Sequence, residues 1–271
     1  MPELPEVETT RRGVEPLLCG REVTEVKVHD LRLRRPVSRN LASILTGARL
    51  SGVTRRAKYL LFDFSRGTLI THLGMSGSLR VVDSNVPRQP HDHVEIIFRG
   101  DRCLRLRDPR RFGLMLWTKD DPMAHELLRD LGPEPFDATF TGAYLYHCSR
   151  ERKVAIKNYI MDARVVVGVG NIYASEALFR AGIHPVRAAG RIGLERYELL
   201  ESKITTVLRE AIAAGGTSLR DFVRDDGRPG YFRHKLRVYG RAGDPCGRCR
   251  KPLKMRVIGQ RSSFFCSRCQ T

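Results

Sequence analysis

The sequence predicts an α+β protein in which strands come first and helices follow. One helix leads an N-terminal antiparallel β-sandwich, and a helical domain follows that ends in a four-cysteine β-hairpin. Three observations carry this reading. Over the first 130 residues, short runs rich in β-branched and aromatic side chains alternate with turn residues. From about 137 to 214 the apolar spacing becomes that of a helix. Near the end stand two C-x2-C pairs.

Taken in order, residues 3–18 place Leu4, Val7, Val14 and Leu17 at helical spacing, and Gly20 closes the helix. Strands are expected over Val23–His29, Tyr59–Phe64, Thr68–Leu73 and Val94–Phe98. Gly100-Asp101 signals a two-residue hairpin into Cys103–Arg107, and Phe112–Trp117 is one more strand. Gly132-Pro133-Glu134-Pro135 has the composition of a linker. In the tract Val165–Ala174, Gly168 and Gly170 form a tight turn into a helix, with Asn171 at or beside its N-cap. Such a turn is either a packing device or a phosphate cradle. Over Arg191–Ala214, Leu194, Tyr197, Leu200, Ile204, Val207, Leu208 and Ala211 share a face, and Gly215-Gly216 stops the helix. Residues 215–231 are rich in glycine and charge, as suits a loop that is either solvent-borne or a cover over a substrate.

Cys246, Cys249, Cys266 and Cys269 form two C-x2-C pairs with 16 residues between them. Each pair turns two thiolates toward one ion, and four complete a closed tetrahedral zinc site. One structural Zn2+ is therefore expected, with no open position for catalysis. Its work is to fold a segment too small to hold itself together. The intervening stretch gives a strand over 253–258 and another from Ser263, so the Gly259-Gln260 turn puts Arg261 near the hairpin tip. Cys19, Cys103 and Cys148 lack metal spacing and are expected to be small buried hydrophobes.

The chain carries 48 Lys+Arg against 30 Asp+Glu, a net charge of +18. Residues 220–271 hold 14 of the former and 4 of the latter. A basic field concentrated beside a metal motif points to a nucleic-acid partner. No apolar run approaches the roughly 18–20 residues of a membrane span, and the acidic, proline-rich start lacks a secretory core. A cytoplasmic protein with no membrane partner is expected.

The start, Met1-Pro2-Glu3-Leu4-Pro5-Glu6, admits two readings. Pro2 is either an ordinary first-turn helix residue or, after removal of Met1, a free secondary amine beside two carboxylates. Such an amine forms an iminium with an aldehyde-like carbon and titrates near neutrality. The helix N-terminus would favour the carboxylates and lower the amine's pKa further.

The chain resembles the bacterial formamidopyrimidine-DNA glycosylases, which remove 8-oxoguanine and ring-opened purines. The resemblance runs from Pro2 to Gln270, with the motifs in the family's order. They are PELPE at the start, RRAKYL at 55–60, THLGMSGSLR at 71–80, HDHVE at 91–95 and DPRRFG at 108–113. VVGVGNIYASE at 166–176, PGYF at 229–232 and the four-cysteine finger follow. It implies a catalytic β-sandwich over 1–132 and a helix–two-turn–helix domain over 133–235 whose 215–231 loop covers a flipped base. The zinc finger takes 236–271, and DNA crosses between the domains. It further implies a monomer acting on damaged double-stranded DNA, nucleoid-associated in a bacterial cytoplasm, with no nucleotide cofactor.

By the same resemblance Pro2 attacks C1′ of the damaged nucleotide, Glu3 helps open the sugar and Glu6 supports it. Lys58 is a proton donor, and Arg261 acts in δ-elimination. Met75, Arg110 and Phe112 fill the space of the displaced base. His72, His91, Arg111, Arg152, Lys157, Asn171 and Arg261 hold phosphates. Two competing readings remain open. Endonuclease VIII, a sister enzyme for oxidised pyrimidines, typically starts PEGPE, whereas Leu4 stands here. A zinc-ribbon DNA-binding protein without catalysis would leave PELPE and Lys58 with no role.

Overall fold

The computed structural model describes residues 2–216 and 232–271 and divides the chain into two compact units. One is Met1–Arg129 with Ala214–Tyr231, the other Asp130–Ala213 with Phe232–Thr271.

The first unit opens with helix α1 (Leu4–Leu18). Strand β1 (Val23–Val28) and the short helix α2 (Leu41–Leu45) follow. Then come β2 (Leu50–Arg56), β3 (Tyr59–Phe64), β4 (Gly67–His72), β5 (Ser78–Asp83), β6 (Asp92–Phe98), β7 (Arg102–Arg107) and β8 (Leu114–Thr118). The strands form two antiparallel four-stranded sheets, ordered β1-β6-β7-β5 and β2-β3-β4-β8. Val23, Ile96 and Leu104 of one sheet and Val53, Phe62 and Leu69 of the other lie in one apolar core, together with Val7, Val14 and Leu18 of α1. This is the expected sandwich.

Several local expectations are corrected. Leu18 rather than Leu17 joins the core; Leu17 is exposed. At 3.6 residues per turn, position 18 lies within about 40° of Leu4, and position 17 faces away. The β6–β7 loop has three residues rather than two, since Phe98 pairs with Arg102. Phe112 stands outside β8 and is exposed. The sequence reading missed β2, β5 and α2: β2 carries Gly52 and a register shift, β5 is a sheet edge whose Leu79, Val81 and Val82 do not alternate strictly, and α2 is too short to show a period.

The second unit contains α3 (Gly142–Ser149), α4 (Ile156–Met161), α5 (Asn171–Ala181) and α6 (Leu194–Ala213). The hairpin β9 (Lys254–Ile258) and β10 (Arg261–Phe265) follows. Helix α6 packs on α3 and α5, burying Tyr197, Leu200, Ile204, Val207, Leu208 and Ala211. Leu194, about 90° off that stripe, is exposed. The segment 132–135 is no free linker. Val167 N–H donates to Pro133 O at 3.1 Å, Thr205 Oγ1 donates to Pro135 O at 3.0 Å, and Gly132 N–H donates to Ala163 O at 2.8 Å. Among the described residues no helix is long and apolar enough to cross a membrane. Cys103 is buried as expected; Cys19, at the C-cap of α1, and Cys148, on the outer face of α3, are exposed.

Candidate active site and nucleic-acid interface

In the first unit the α1 N-terminus gathers three of the candidate catalytic residues. Glu3 is the N-cap, and its N–H donates to Glu6 Oε2 at 2.9 Å, one half of a capping box. Pro2, Glu3 and Glu6 are all buried. Glu6 therefore fixes the peptide that follows Pro2, while its other oxygen lies against the Gly216 backbone, where an added Cβ would sit at 3.2 Å.

Lys58 occupies the second position of the two-residue turn between β2 and β3, closed by the Arg56–Tyr59 pair. Ala57 before it has φ +56°, a conformation an alanine adopts at a cost of about 1–2 kcal/mol. The turn is held from α1. Arg55 donates through Nη1 to Ala57 O at 2.9 Å and through Nε to Glu8 Oε2 at 3.3 Å. Glu8 also meets Arg11 and Arg12. Although burial raises it, those guanidiniums bring the Glu8 pKa below the usual carboxylate value.

His72 lies across from Tyr59 in the β3–β4 ladder, with ring centroids 4.8 Å apart. Its Nδ1 accepts the Gly74 N–H at 2.9 Å, which leaves the proton on Nε2. Burial, then the nearby Lys58 and Arg34 cations, lower its pKa to about 4. At neutral pH His72 is thus a neutral N–H donor.

Two loops carry the candidate base-replacing residues. Met75, half-buried, follows β4; Arg110 and Phe112, both exposed, precede β8. The Arg110 guanidinium lies 4.8 Å from the Phe112 ring centroid. A Cβ on Gly74 would fall 2.3 Å from the Phe112 carbonyl carbon, so the loops touch backbone to backbone. Arg111 (φ +57°) pairs through Nη2 with Asp30 Oδ2 at 2.7 Å. Hydrogen bonding from Arg32, with Arg111 beside it, holds the Asp30 carboxyl well below the usual carboxylate range. His91 is exposed at φ +73°.

In the second unit Lys157 is wholly buried. Its ammonium donates to Asn171 Oδ1, to Ser262 O at 3.2 Å and to Ser263 Oγ. Asn171, the first residue of α5 after the Gly170 N-cap, donates through Nδ2 to Ser262 O at 3.0 Å. These two residues thereby seat the hairpin. Gly259 and Gln260, at φ +55° and +61°, form its two-residue turn, and the adjoining Arg261 is exposed. Arg152 is exposed too, its backbone bonded to Ser149 and Gly190.

The four finger cysteines hold their sulfurs within 4.8 Å of one another, with Sγ pairs at 3.9 and 3.5 Å. A tetrahedral zinc with bonds near 2.3 Å requires sulfurs roughly 3.8 Å apart, so the donor set fits one structural zinc. Burial and the three neighbouring cysteines push the Cys269 thiol up to about 12. At neutral pH Cys269 therefore serves as a thiolate ligand only around a cation.

Comparison with known proteins agrees with this architecture. Three family models match: the formamidopyrimidine-DNA glycosylase N-terminal domain over 1–115, the H2TH domain of that glycosylase over 131–223, and the zinc finger found in FPG and IleRS over 243–271. The chain belongs to the formamidopyrimidine-DNA glycosylase family. A formamidopyrimidine-DNA glycosylase of Methylococcus capsulatus is 57% identical over 270 residues, covering 100% of both chains. A Lactococcus lactis FPG mutant, solved with a Fapy-dG containing DNA, has 33% identity and a TM-score of 0.92 over 100% of both chains. MutM in complex with carbocyclic 8-oxo-G containing DNA has 34% identity and a TM-score of 0.90, again over 100% of both.

Within this family frame three buried acids escaped the sequence reading. Besides Glu8, Asp108 bridges the two loops in the first unit. Glu176 of α5 accepts the backbone N–H groups of Arg237, Val238 and Tyr239 at 2.9–3.0 Å. No period singles out Glu176, because every residue of α5 from Ile172 to Ala181 is buried. The base-covering loop expected at 215–231 lies outside the described residues, apart from Gly215 and Gly216.

Proposed function

We propose that this chain is a bifunctional DNA glycosylase and AP lyase of base excision repair. It excises oxidised purines, 8-oxoguanine and formamidopyrimidines, from duplex DNA as a monomer in a bacterial cytoplasm. The observation that carries the reading is full-length similarity to formamidopyrimidine-DNA glycosylases in a chain whose Pro2–Glu3–Glu6 start is a buried, hydrogen-bonded constellation. The division at 132 and 235 belongs to the same proposal and is supported by the three matched segments.

Removal of Met1 frees the Pro2 nitrogen, whose lone pair attacks C1′ as the base leaves with the bonding electrons and takes up the proton that the Pro2 nitrogen sheds. Glu3 supplies the proton that opens the sugar ring at its oxygen, giving an iminium between Pro2 and C1′. The iminium acidifies the C2′ hydrogens. Loss of one expels the 3′ phosphate, a second elimination expels the 5′ phosphate, and Arg261 donates a proton there. Lys58 gives and takes protons at the sugar, placed by its turn.

Excision requires the target base outside the stack, at a cost of a few kcal/mol. Met75, Arg110 and Phe112 replace it in the duplex. His91, Arg111, Arg152, Asn171 and Arg261 hold phosphates, and His72 does so as a neutral donor. Lys157, being buried, acts on the phosphates through the Asn171 and hairpin groups it seats. The zinc is structural.

End-labelled duplexes carrying 8-oxoguanine opposite cytosine, or an oxidised pyrimidine, test the reading. A one-nucleotide gap with phosphates at both ends, formed at least about tenfold faster on 8-oxoguanine, is expected, a difference of roughly 1.4 kcal/mol in barrier. Preference for the pyrimidine lesion, or binding without cleavage, would overturn it.

A further inference from the structure

Asp108 is a fully buried acid in the stretch Arg105–Arg111, flanked by basic side chains. Its side chain faces inward. Oδ1 accepts the Ser76 hydroxyl at 2.7 Å and Oδ2 accepts the Gly113 N–H at 2.7 Å. Ser76 Oγ in turn accepts the Arg110 N–H at 3.2 Å. The main chain of Asp108 is equally engaged: its carbonyl meets His93 Nε2 at 2.8 Å and accepts the Arg111 N–H at 3.2 Å, and its N–H donates to His91 O at 3.0 Å.

These bonds reach the chain beside every candidate DNA contact of the first unit that follows residue 74. Ser76 adjoins Met75, Gly113 adjoins Phe112, and Arg110, Arg111 and His91 are bonded directly or through Ser76. The contact is tight. A Cβ on Gly74 would lie 2.6 Å from Phe112 O, and one on Gly113 would lie 3.0 Å from Asp108 Oδ2. The exposed Arg110 and Phe112 side chains have little packing of their own to fix them, so their placement comes from the backbone beneath.

We propose that Asp108 is the positioning residue for the base-replacing side chains: its two carboxylate oxygens lock the Met75 loop to the Arg110–Phe112 loop, so that the three side chains enter the duplex as one preset unit. This rests on the glycosylase reading above. Asp108 touches no DNA itself. An aspartate suits the position because two donors, one hydroxyl and one immobile backbone N–H, need two acceptors from one short side chain. Asparagine offers one acceptor: with it facing the Gly113 N–H, the amide faces Ser76, whose hydroxyl must then accept from that amide as well as from Arg110, a neutral and weaker arrangement that loosens the Arg110 loop.

The test compares wild type, Asp108→Asn and Ser76→Ala on two substrates. One is a duplex with 8-oxoguanine opposite cytosine and 2-aminopurine beside that cytosine. The other is a single strand with a preformed abasic site, where no duplex needs filling. Wild type is expected to cut both and to brighten the 2-aminopurine as the lesion leaves the stack. Asp108→Asn should lose about tenfold or more in kcat on the duplex with a far smaller change in KM, lose the fluorescence rise, and lose much less on the single strand. Ser76→Ala should show the same pattern more weakly. Wild-type duplex kinetics and fluorescence in Asp108→Asn would overturn the proposal. So would equal losses on both substrates in Asp108→Asn together with unaltered duplex cleavage by Ser76→Ala. If wild type cuts neither substrate, the glycosylase reading itself has failed and the positioning role falls with it.

Discussion

The sandwich and the finger hold candidate functional side chains by opposite means. The sandwich encloses a large apolar core drawn from α1 and both sheets, and its candidate site residues stand beside turns and helix ends tied down by buried carboxylates. Glu6 fixes the Pro2–Glu3 peptide, Glu8 works through Arg55 on the Lys58 turn, and Asp108 holds the Arg110–Phe112 loop. Beyond the hairpin's buried Ile258 and Phe265, the finger's apolar cluster is Phe179 of α5 with Val238, Cys246, Leu253 and Cys266 among the described residues. Two of those five are metal ligands. A core that small cannot offset the ordering entropy of the hairpin, so the metal supplies what burial does not. Rigidity for function thus comes from core plus internal acids in one region and from four thiolates plus one buried ammonium in the other.

The largest expected effect breaks the finger alone. Chelating the zinc should unfold the hairpin and abolish duplex binding, while emission from Trp117, the single tryptophan, on β8 of the sandwich, stays unchanged. Loss of both signals together would show that the sandwich also depends on the metal. The reverse experiment is Phe62→Ala, which empties a fully buried site in the sandwich. It should cost about 3–5 kcal/mol in denaturant unfolding followed at Trp117, without releasing zinc to a colorimetric chelator below the transition.

A smaller effect is electrostatic. The His72 pKa is lowered from 6.5 to about 4, so folding favours the neutral ring. That contribution is complete above pH 6.5 and is lost as pH falls toward 4, at up to about 1.4 kcal/mol per unit. His72→Gln should therefore have a shallower loss of stability between pH 6.5 and 4.5 than wild type. Parallel curves would show that the His72 ring contributes nothing to the acid response.

What the sequence made legible follows the same division. The Pro2–Glu3–Glu6 start and the Gly259-Gln260 turn were readable because their partners lie within a few residues, and the four cysteines because each C-x2-C pair is a recognisable spacing by itself. Asp108, Glu8 and Glu176 were not, since their partners Ser76, Arg55 and Arg237 stand 32, 47 and 61 positions away. Resemblance placed Lys157 among the phosphate contacts, yet only the fold reveals that its ammonium faces Ser262 and Ser263, more than 100 residues on. Strand β5 stayed hidden because its apolar residues Leu79, Val81 and Val82 do not keep the strict alternation of a half-buried strand.

Whether the Pro2 amine is the nucleophile decides the chemistry, and borohydride trapping addresses it without intermediaries. The full-length protein is mixed with a duplex carrying 8-oxoguanine opposite cytosine, reduced, digested and sequenced by mass spectrometry. A stable DNA adduct is expected on an N-terminal peptide that begins at Pro2. An adduct on a lysine instead, or none while lesion binding persists, would contradict the Pro2 assignment.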